Sequence, residues 1–285
     1  MSAPEQAPPA TDGASGKSRA GRNLPAAIGV GVTMGTAVIV CLATSRKAFV
    51  GLVALAILIA LWEFNAVLAQ RGIRIPLAPL AIGSVASLVA AERGGTEALV
   101  VGFALTALGA IGWRLAEGPA GFVADVTASL FTAAYLPLLA GFAILMDAER
   151  DGPRRVATYV ILVVCNDVGG YAAGVMFGKH PMAPRISPKK SWEGMGGSLL
   201  TCALGGAICM SAMLHGHWWQ GAPLGLALAV AATLGDLGES LLKRDLGVKD
   251  MGSLLPGHGG IMDRLDSLLA AAPVAWLLLA GFHAR

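Results

Sequence analysis

The chain has 285 residues, 55% of them hydrophobic and 14% charged, with a formal net charge of +3 and a mean hydropathy of +0.66. Soluble domains usually carry about 25% charged residues, so this composition excludes an ordinary soluble domain and indicates a polytopic membrane protein. The small net charge predicts no nucleic-acid partner.

Long apolar segments occupy most of the chain after a short polar start. Residues 1–23 are rich in Pro, Ala, Gly and Ser, which is typical of a disordered tail. Nine segments follow, each near the ~20 residues that a helix needs to cross a bilayer. They are 24–44, 48–69, 75–91, 96–116, 127–147, 155–178, 194–214, 222–243 and 265–283. The predicted fold is all-α, with about five transmembrane helices in residues 24–150 and the remainder in 151–285.

Lys and Arg predict the orientation of the helices in the membrane. With the N-terminus inside, 14 of the 21 basic residues fall on the inner side and 7 on the outer side. The cluster at 149–155 opposes this modest bias. The prediction is a multi-pass protein of the cytoplasmic membrane, with its N-terminus and two charged loops, 179–193 and 244–264, in the cytoplasm.

Carboxylates lie within predicted spans, where an unpaired charge is costly. Asp167 follows Asn166 in the sixth span and is interpreted as functional, the alternative being a polar pin between helices. In the eighth span Asp236, Glu239 and Lys243 share one helix face. This pattern predicts a cavity wall, although a Glu239–Lys243 pair that reaches the surface would explain two of the three.

A second pair of acids, Asp263 and Asp266, begins the ninth span. The helix dipole favours acids at this position, so capping alone could explain one of them. Together with Asp167 and Asp236, they place carboxylates of three helices near one membrane boundary. Hard cations such as Mg²⁺ prefer oxygen ligands of this kind.

Other residues of chemically active types are interpreted as structural. The four cysteines lie in apolar runs without CxxC spacing, which is typical of buried thiols. His215 and His217 have no third ligand nearby and are interpreted as surface histidines. Glu63 and Asn65, in the second span, are interpreted as packing or interface groups.

Two charged loops carry groups that could bind phosphate. In the first, residues 178–194, basic side chains alternate with prolines that prevent a continuous helix. It could hold a nucleotide triphosphate or be an ordinary positive-inside loop. The second contains Pro-Gly-His-Gly-Gly at 256–260, whose backbone N–H groups could wrap a phosphate. No GxxxxGK[ST] sequence occurs, so a P-loop enzyme is excluded.

Three stretches resemble the phosphatidate cytidylyltransferase, or CDP-diacylglycerol synthase, family. The pattern S-x-x-K-R-x4-K-D, five residues, then P-x-H-G-G-x-x-D-R-x-D is complete from Ser240 to Asp266. The patterns N-D-x-x-x-Y-x-x-G-x-x-F-G and I-S-P-K-K-S-W-E-G occur at 166–178 and 186–194, with Ser191 where many relatives have Thr. These stretches all lie in the C-terminal 120 residues, whereas the first 150 resemble the family only in hydropathy.

The resemblance implies transfer of CMP from CTP to phosphatidic acid in the bilayer, giving CDP-diacylglycerol and pyrophosphate. It also implies a homodimer and one or two metal ions, Mg²⁺ and a second that is divalent or monovalent. The predicted metal ligands are Asp167, Asp236, Asp263 and Asp266. The predicted catalytic residues are Asp236, Asp263, Lys243, Arg264 and His258. The predicted substrate-binding residues are Ser187, Lys189, Lys190, Ser240, Arg244, Lys249, Gly259 and Gly260.

Two other functions remain open at the level of sequence. A CTP-dependent kinase acting on a polyprenol-type lipid would transfer the γ-phosphoryl group instead of the nucleotidyl group, although the complete pattern at 240–266 weighs against it. An ion-coupled secondary transporter could use Asp167 and Asp236 as ion sites. No inverted repeat supports the transporter.

Overall fold

The computed structural model describes residues 24–252, 254 and 259–283, so the predicted tail at 1–23 lies outside the described residues. The described part of the chain is almost entirely helical. Its helices are α1 (Leu24–Thr44), α2 (Arg46–Gln70), α3 (Leu77–Leu115), α4 (Phe122–Ala133), α5 (Leu139–Asp147), α6 (Gly152–Phe177), α7 (Trp192–Ala212), α8 (Trp218–Asp245) and α9 (Met262–His283). A π-helical turn around Pro137 joins α4 to α5 into one continuous span.

The prediction of an all-α polytopic membrane protein is confirmed. Within the described residues, seven helices are long and apolar enough to cross a membrane. This number differs from the nine predicted spans at two places. The apolar part of α1, Gly31–Thr44, is shorter than a full span, and the predicted segments 75–91 and 96–116 both fall within α3. The count of nine therefore stays a prediction.

Helix α3 is not one straight rod, although its 39 residues are continuous. Gly95 has φ 65° and ψ −153°, a backbone conformation that favours glycine. Gly83 lies against the side chain of Thr106, whereas in a straight helix these residues would be about 35 Å apart. The chain therefore reverses at Gly95, and α3 consists of two antiparallel arms.

Glycines allow α6 and α7 to pack with their backbones in close contact. A Cβ added to Gly197 on α7 would lie 2.6 Å from the carbonyl oxygen of Gly169 on α6. The next residue of α7, Ser198, donates a hydrogen bond of 2.6 Å from its hydroxyl to the carbonyl of Asn166. In lipid, where burial of apolar surface does not drive association, small residues and hydrogen bonds hold helices together. This contact fixes the position of the polar pair at 166 and 167.

The loop between α6 and α7 folds as a two-stranded antiparallel hairpin, β1 (Pro181–Ala183) and β2 (Ser187–Ser191). Ser191 also caps α7, accepting the N–H of Gly194 at 3.1 Å. Glu193 closes the base of the hairpin because its Oε2 accepts the backbone N–H groups of Lys179 and His180 at 3.1 and 3.2 Å. The hairpin is thereby held at the end of α7, beside the charged groups of α8.

We expect Gly197→Ala to lower the thermal unfolding temperature of the purified protein by roughly 2–10 °C, as overpacking of about 1–3 kcal/mol would do. Gly196→Ala is the matched control because Gly196 is exposed and nothing lies within 4 Å of an added Cβ. Thermal unfolding in detergent would measure both variants. Equal unfolding temperatures for the two would contradict close packing of α6 on α7.

Candidate active site

A charged cavity of about 410 Å³ lies where α6, α8, α9 and strand β2 meet. Eleven residues predicted from the sequence line it. They are Asp167, Ser187, Lys189, Asp236, Ser240, Lys243, Arg244, Lys249, Asp263, Arg264 and Asp266. The structure therefore collects residues from three motifs, spread over about 100 positions, around one cavity.

Of the other predicted residues, Lys190 contacts Asp236 at the cavity, whereas the two described glycines are not part of its lining. Gly260 donates its N–H to Asp263 Oδ2 at 2.8 Å, and Gly259 also packs against this carboxylate. Neither glycine is among the described residues that line the cavity, so the structure adds no support for their predicted phosphate binding. His258 lies outside the described residues.

Asp236 is the carboxylate of α8 that faces the cavity. Its Oδ2 is 2.5 Å from Nζ of Lys190 on β2, and its Oδ1 accepts a hydrogen bond of 3.3 Å from the Ser240 hydroxyl. The ion pair ties the hairpin to α8. It also brings Lys190 to the cavity that contains the other predicted cations.

Lys243 joins α8 to α9 and to the loop between them. Its Nζ lies 2.8 Å from Asp263 Oδ1 and 3.1 Å from Glu239 Oε1. The other oxygen of Asp263 accepts the N–H groups of Met251 and Gly260 at 2.9 and 2.8 Å. Because Glu239 is fully buried, the Glu239–Lys243 pair is part of the interior. The alternative of a surface pair is thus excluded.

Two groups that line the cavity, one carboxylate and one hydroxyl, were not assigned to it from the sequence. Asp250 and Ser267 line it. Glu239, which the sequence predicted to share a cavity wall with Asp236 and Lys243, is buried, and its Oε1 lies 3.1 Å from the Lys243 ammonium. Its spacing from Asp236 and Lys243 was the available signal, whereas no pattern in the sequence distinguishes Ser267.

Asp167 is oriented by its neighbour. The side-chain NH₂ of Asn166 donates a hydrogen bond of 3.1 Å to Asp167 Oδ1. The side-chain oxygen of Asn166 accepts a hydrogen bond of 3.3 Å from the Thr233 hydroxyl of α8. Asn166 therefore has the role of a polar pin between helices that was considered for Asp167. Asp167 itself lines the cavity.

The close approach of α8 and α9 brings Asp236 and Asp266 to the same cavity. A Cβ added to Gly235 would lie 2.5 Å from the carbonyl oxygen of Asp266. Asp167 of α6 lines this cavity as well. Such a concentration of like charges is stabilised by bound cations.

The carboxylate oxygens around the cavity are suitable ligands for a hard divalent cation. The described residues contain no group of three His, Cys, Asp or Glu side chains that could hold a metal by itself. Mg²⁺, however, is usually held by one or two carboxylates together with substrate phosphates and water. The carboxylates of Asp167, Asp236 and Asp266, which line one cavity, suit an ion of this kind.

A second cavity of about 290 Å³ lies on the opposite face of α9 and is almost entirely apolar. Leu265, Leu268 and Leu269 line it, together with residues of α1, α2, α5 and α6. Tyr159 of α6 spans the contact by donating to the carbonyl of Leu268 at 2.6 Å. Helix α9 therefore separates an apolar compartment from the charged one.

Comparison with known protein families gives a match over almost the whole chain. The profile of the cytidylyltransferase family matches residues 25–282. The chain belongs to the cytidylyltransferase family. The match extends the family relationship through the N-terminal half, where the sequence resembled the family only in hydropathy.

Several relatives of this family are similar over most of the chain. The phosphatidate cytidylyltransferase of Mycobacterium leprae is 45% identical, covering 92% of this chain and 89% of the relative. That of Mycobacterium bovis is 43% identical, covering 92% and 90%. The phosphatidate cytidylyltransferase of Brucella suis is 37% identical over 54% of this chain and 57% of its own.

Lys243→Met should lower the free energy of unfolding by roughly 3 kcal/mol, because it leaves two buried carboxylates without their cation. Lys249→Met is the matched control, since Lys249 is exposed on the loop. Unfolding in mixed detergent micelles would measure both. Wild-type stability of Lys243→Met would show that the ammonium does not hold α8 and α9 together.

Proposed function

We propose that this protein transfers CMP from CTP to phosphatidic acid, giving CDP-diacylglycerol and pyrophosphate. The observation that carries the proposal is the cavity itself. Carboxylates of α6, α8 and α9 meet lysines and arginines there, at the ends of helices apolar enough to cross a membrane. The names of the relatives support the same reaction.

The reaction requires positioning and charge neutralisation and no covalent nucleophile from the protein. An oxygen of the lipid phosphate attacks the α-phosphorus of CTP. The bond between that phosphorus and the oxygen bridging to the β-phosphate breaks, and pyrophosphate leaves with the electron pair. Lys189, Arg244 and Arg264, which line the cavity, are proposed to bind the phosphates of the two substrates.

Mg²⁺ is proposed as the cofactor, and Asp167, Asp236 and Asp266 would hold it. When bound, the ion offsets negative charge on the substrate phosphates and on the leaving pyrophosphate. Asp263 was predicted as a further ligand. Because its two oxygens already contact the Lys243 ammonium and accept two backbone N–H groups, we propose that it holds Lys243 and the loop in place.

The proposed orientation places the charged cavity at the cytoplasmic side. The excess of Lys and Arg on that side, 14 against 7, supports it. The lipid phosphate would then enter at the level of the headgroups, while its acyl chains stay in the bilayer. The homodimer implied by the resemblance stays a prediction.

The two rival functions differ from this proposal in their products. A lipid kinase would release CDP and produce a lipid phosphate, and a transporter would move solute without turnover. Membership of the cytidylyltransferase family and the names of the relatives do not favour either.

The deciding experiment is an assay of the purified protein in detergent with phosphatidic acid and CTP labelled at the α-phosphate. We expect label in a CDP-lipid, one pyrophosphate released per lipid labelled, and no product in EDTA. Transfer of label from γ-labelled CTP to a polyprenol, with no CDP-lipid formed, would overturn the proposal in favour of a kinase. Product formation in EDTA would exclude the metal requirement.

Asp236→Asn is expected to lower kcat by about 10²–10³-fold, since it removes a charge that acts on the reacting phosphates. Asp245→Asn is the matched control because Asp245 is exposed at the end of the same helix. Initial rates at several Mg²⁺ concentrations would be compared for both variants. A wild-type rate and wild-type Mg²⁺ dependence in Asp236→Asn would rule out its assigned role.

A further inference from the structure

Glu63 is a buried acid of α2 that the proposed chemistry does not use. It is 1% exposed, and its carboxylate lies at the first turn of α9. Oε1 accepts the N–H of Ile261 at 3.1 Å, and Oε2 accepts the N–H of Met262 at 3.0 Å. Glu63, interpreted from the sequence as a packing or interface group, therefore forms specific hydrogen bonds to the start of α9.

The first turn of α9 needs an acceptor from outside its own sequence. Ile261 precedes the helix, and its carbonyl accepts the N–H groups of Arg264 and Leu265 at 3.0 and 3.2 Å. In this position Ser, Thr, Asp or Asn would normally satisfy a free N–H, which isoleucine cannot do. Glu63 supplies both the acceptor oxygens and a negative charge at the positive end of the helix dipole.

The loop before α9 is shaped around this carboxylate. Gly252 and Gly260 both pack directly against the Glu63 carboxylate, and a Cβ on either would collide with it. The requirement for glycine at 260 thus has a structural reason within the described residues. The groups surrounding the carboxylate come from positions almost 200 residues away in the chain.

We infer that Glu63 is a positioning residue for the reaction, acting through the first turn of α9. The same end of α9 carries Arg264, in the first turn, and Asp266, directly after it, into the charged cavity, whereas Glu63 is not among the described residues that line it. The inference rests on the proposed function. It predicts that loss of the contact misplaces groups that bind phosphate and metal.

Glu63→Gln tests this with little change of shape. Glutamine offers one acceptor oxygen and places an NH₂ group against the second backbone N–H, so one of the two hydrogen bonds is lost. We expect kcat to fall about tenfold or more, since small displacements of reacting groups have large effects. The Mg²⁺ concentration for half-maximal rate should rise severalfold. Glu63→Asp, which keeps both acceptors, should recover part of each loss.

The matched control is Asp125→Asn in α4. Asp125 is also buried, accepts the backbone N–H of Arg74 at 2.8 Å and pairs with Arg114 at 2.8 Å. It is not one of the described residues that line the cavity. This variant should lower the unfolding temperature without changing the Mg²⁺ dependence, so that loss of stability is separated from loss of positioning.

Hydrogen exchange measured on a peptide spanning 259–266 provides a readout independent of activity. Faster exchange in Glu63→Gln than in Asp125→Asn is expected. Wild-type kcat and Mg²⁺ dependence in Glu63→Gln would overturn the inference, whatever its unfolding temperature. If that variant does not fold, Gly252→Ala displaces the same carboxylate from the loop side, and wild-type behaviour there would overturn it equally. An inactive wild type would instead refute the proposed function.

Discussion

The ammonium of Lys243 lies between two buried carboxylates, those of Glu239 on its own helix and Asp263 on α9. Buried charges are tolerated only when they are paired, so this contact dictates how the two helices meet. Asp263 extends the network to the loop through two backbone N–H groups. Gly235 permits the approach by leaving room for the backbone of α9. The position of each cavity carboxylate on α8 and α9 depends on this junction.

The other wall of the cavity depends on packing between small residues. Gly169 and Gly197 bring α6 and α7 into backbone contact, and Asn166 connects α6 to α8 through Thr233. Asp167 is carried to the cavity by these contacts. The same glycine-rich interface sets the start of α7, from which the hairpin projects its lysines. Close helix contacts in lipid thus determine the site as much as its charged groups do.

The acidic residues of the three motifs occupy two kinds of position. Some line the cavity, and others hold neighbouring segments in place. Asp167, Asp236 and Asp266 line the cavity and are the proposed metal ligands, whereas Glu193 closes the hairpin and Asp263 holds a lysine and a loop. The motifs therefore contain residues that support the site as well as residues that line it. The precise geometry that catalysis requires explains why so many charged residues serve as support.

The sequence alone determined the membrane class and most helix positions, because the thickness of the bilayer sets the length of a spanning helix. It also identified eleven of the cavity residues, since a charged side chain within the membrane is costly and usually functional. It also predicted that prolines prevent a continuous helix in residues 178–194. It did not show that Asp263 holds Lys243 and the loop before α9, nor that Glu63 accepts N–H groups at the start of α9. Only the tertiary structure decided these roles, because they arise from contacts between segments that no local periodicity connects: Glu63 and Met262 are 199 positions apart.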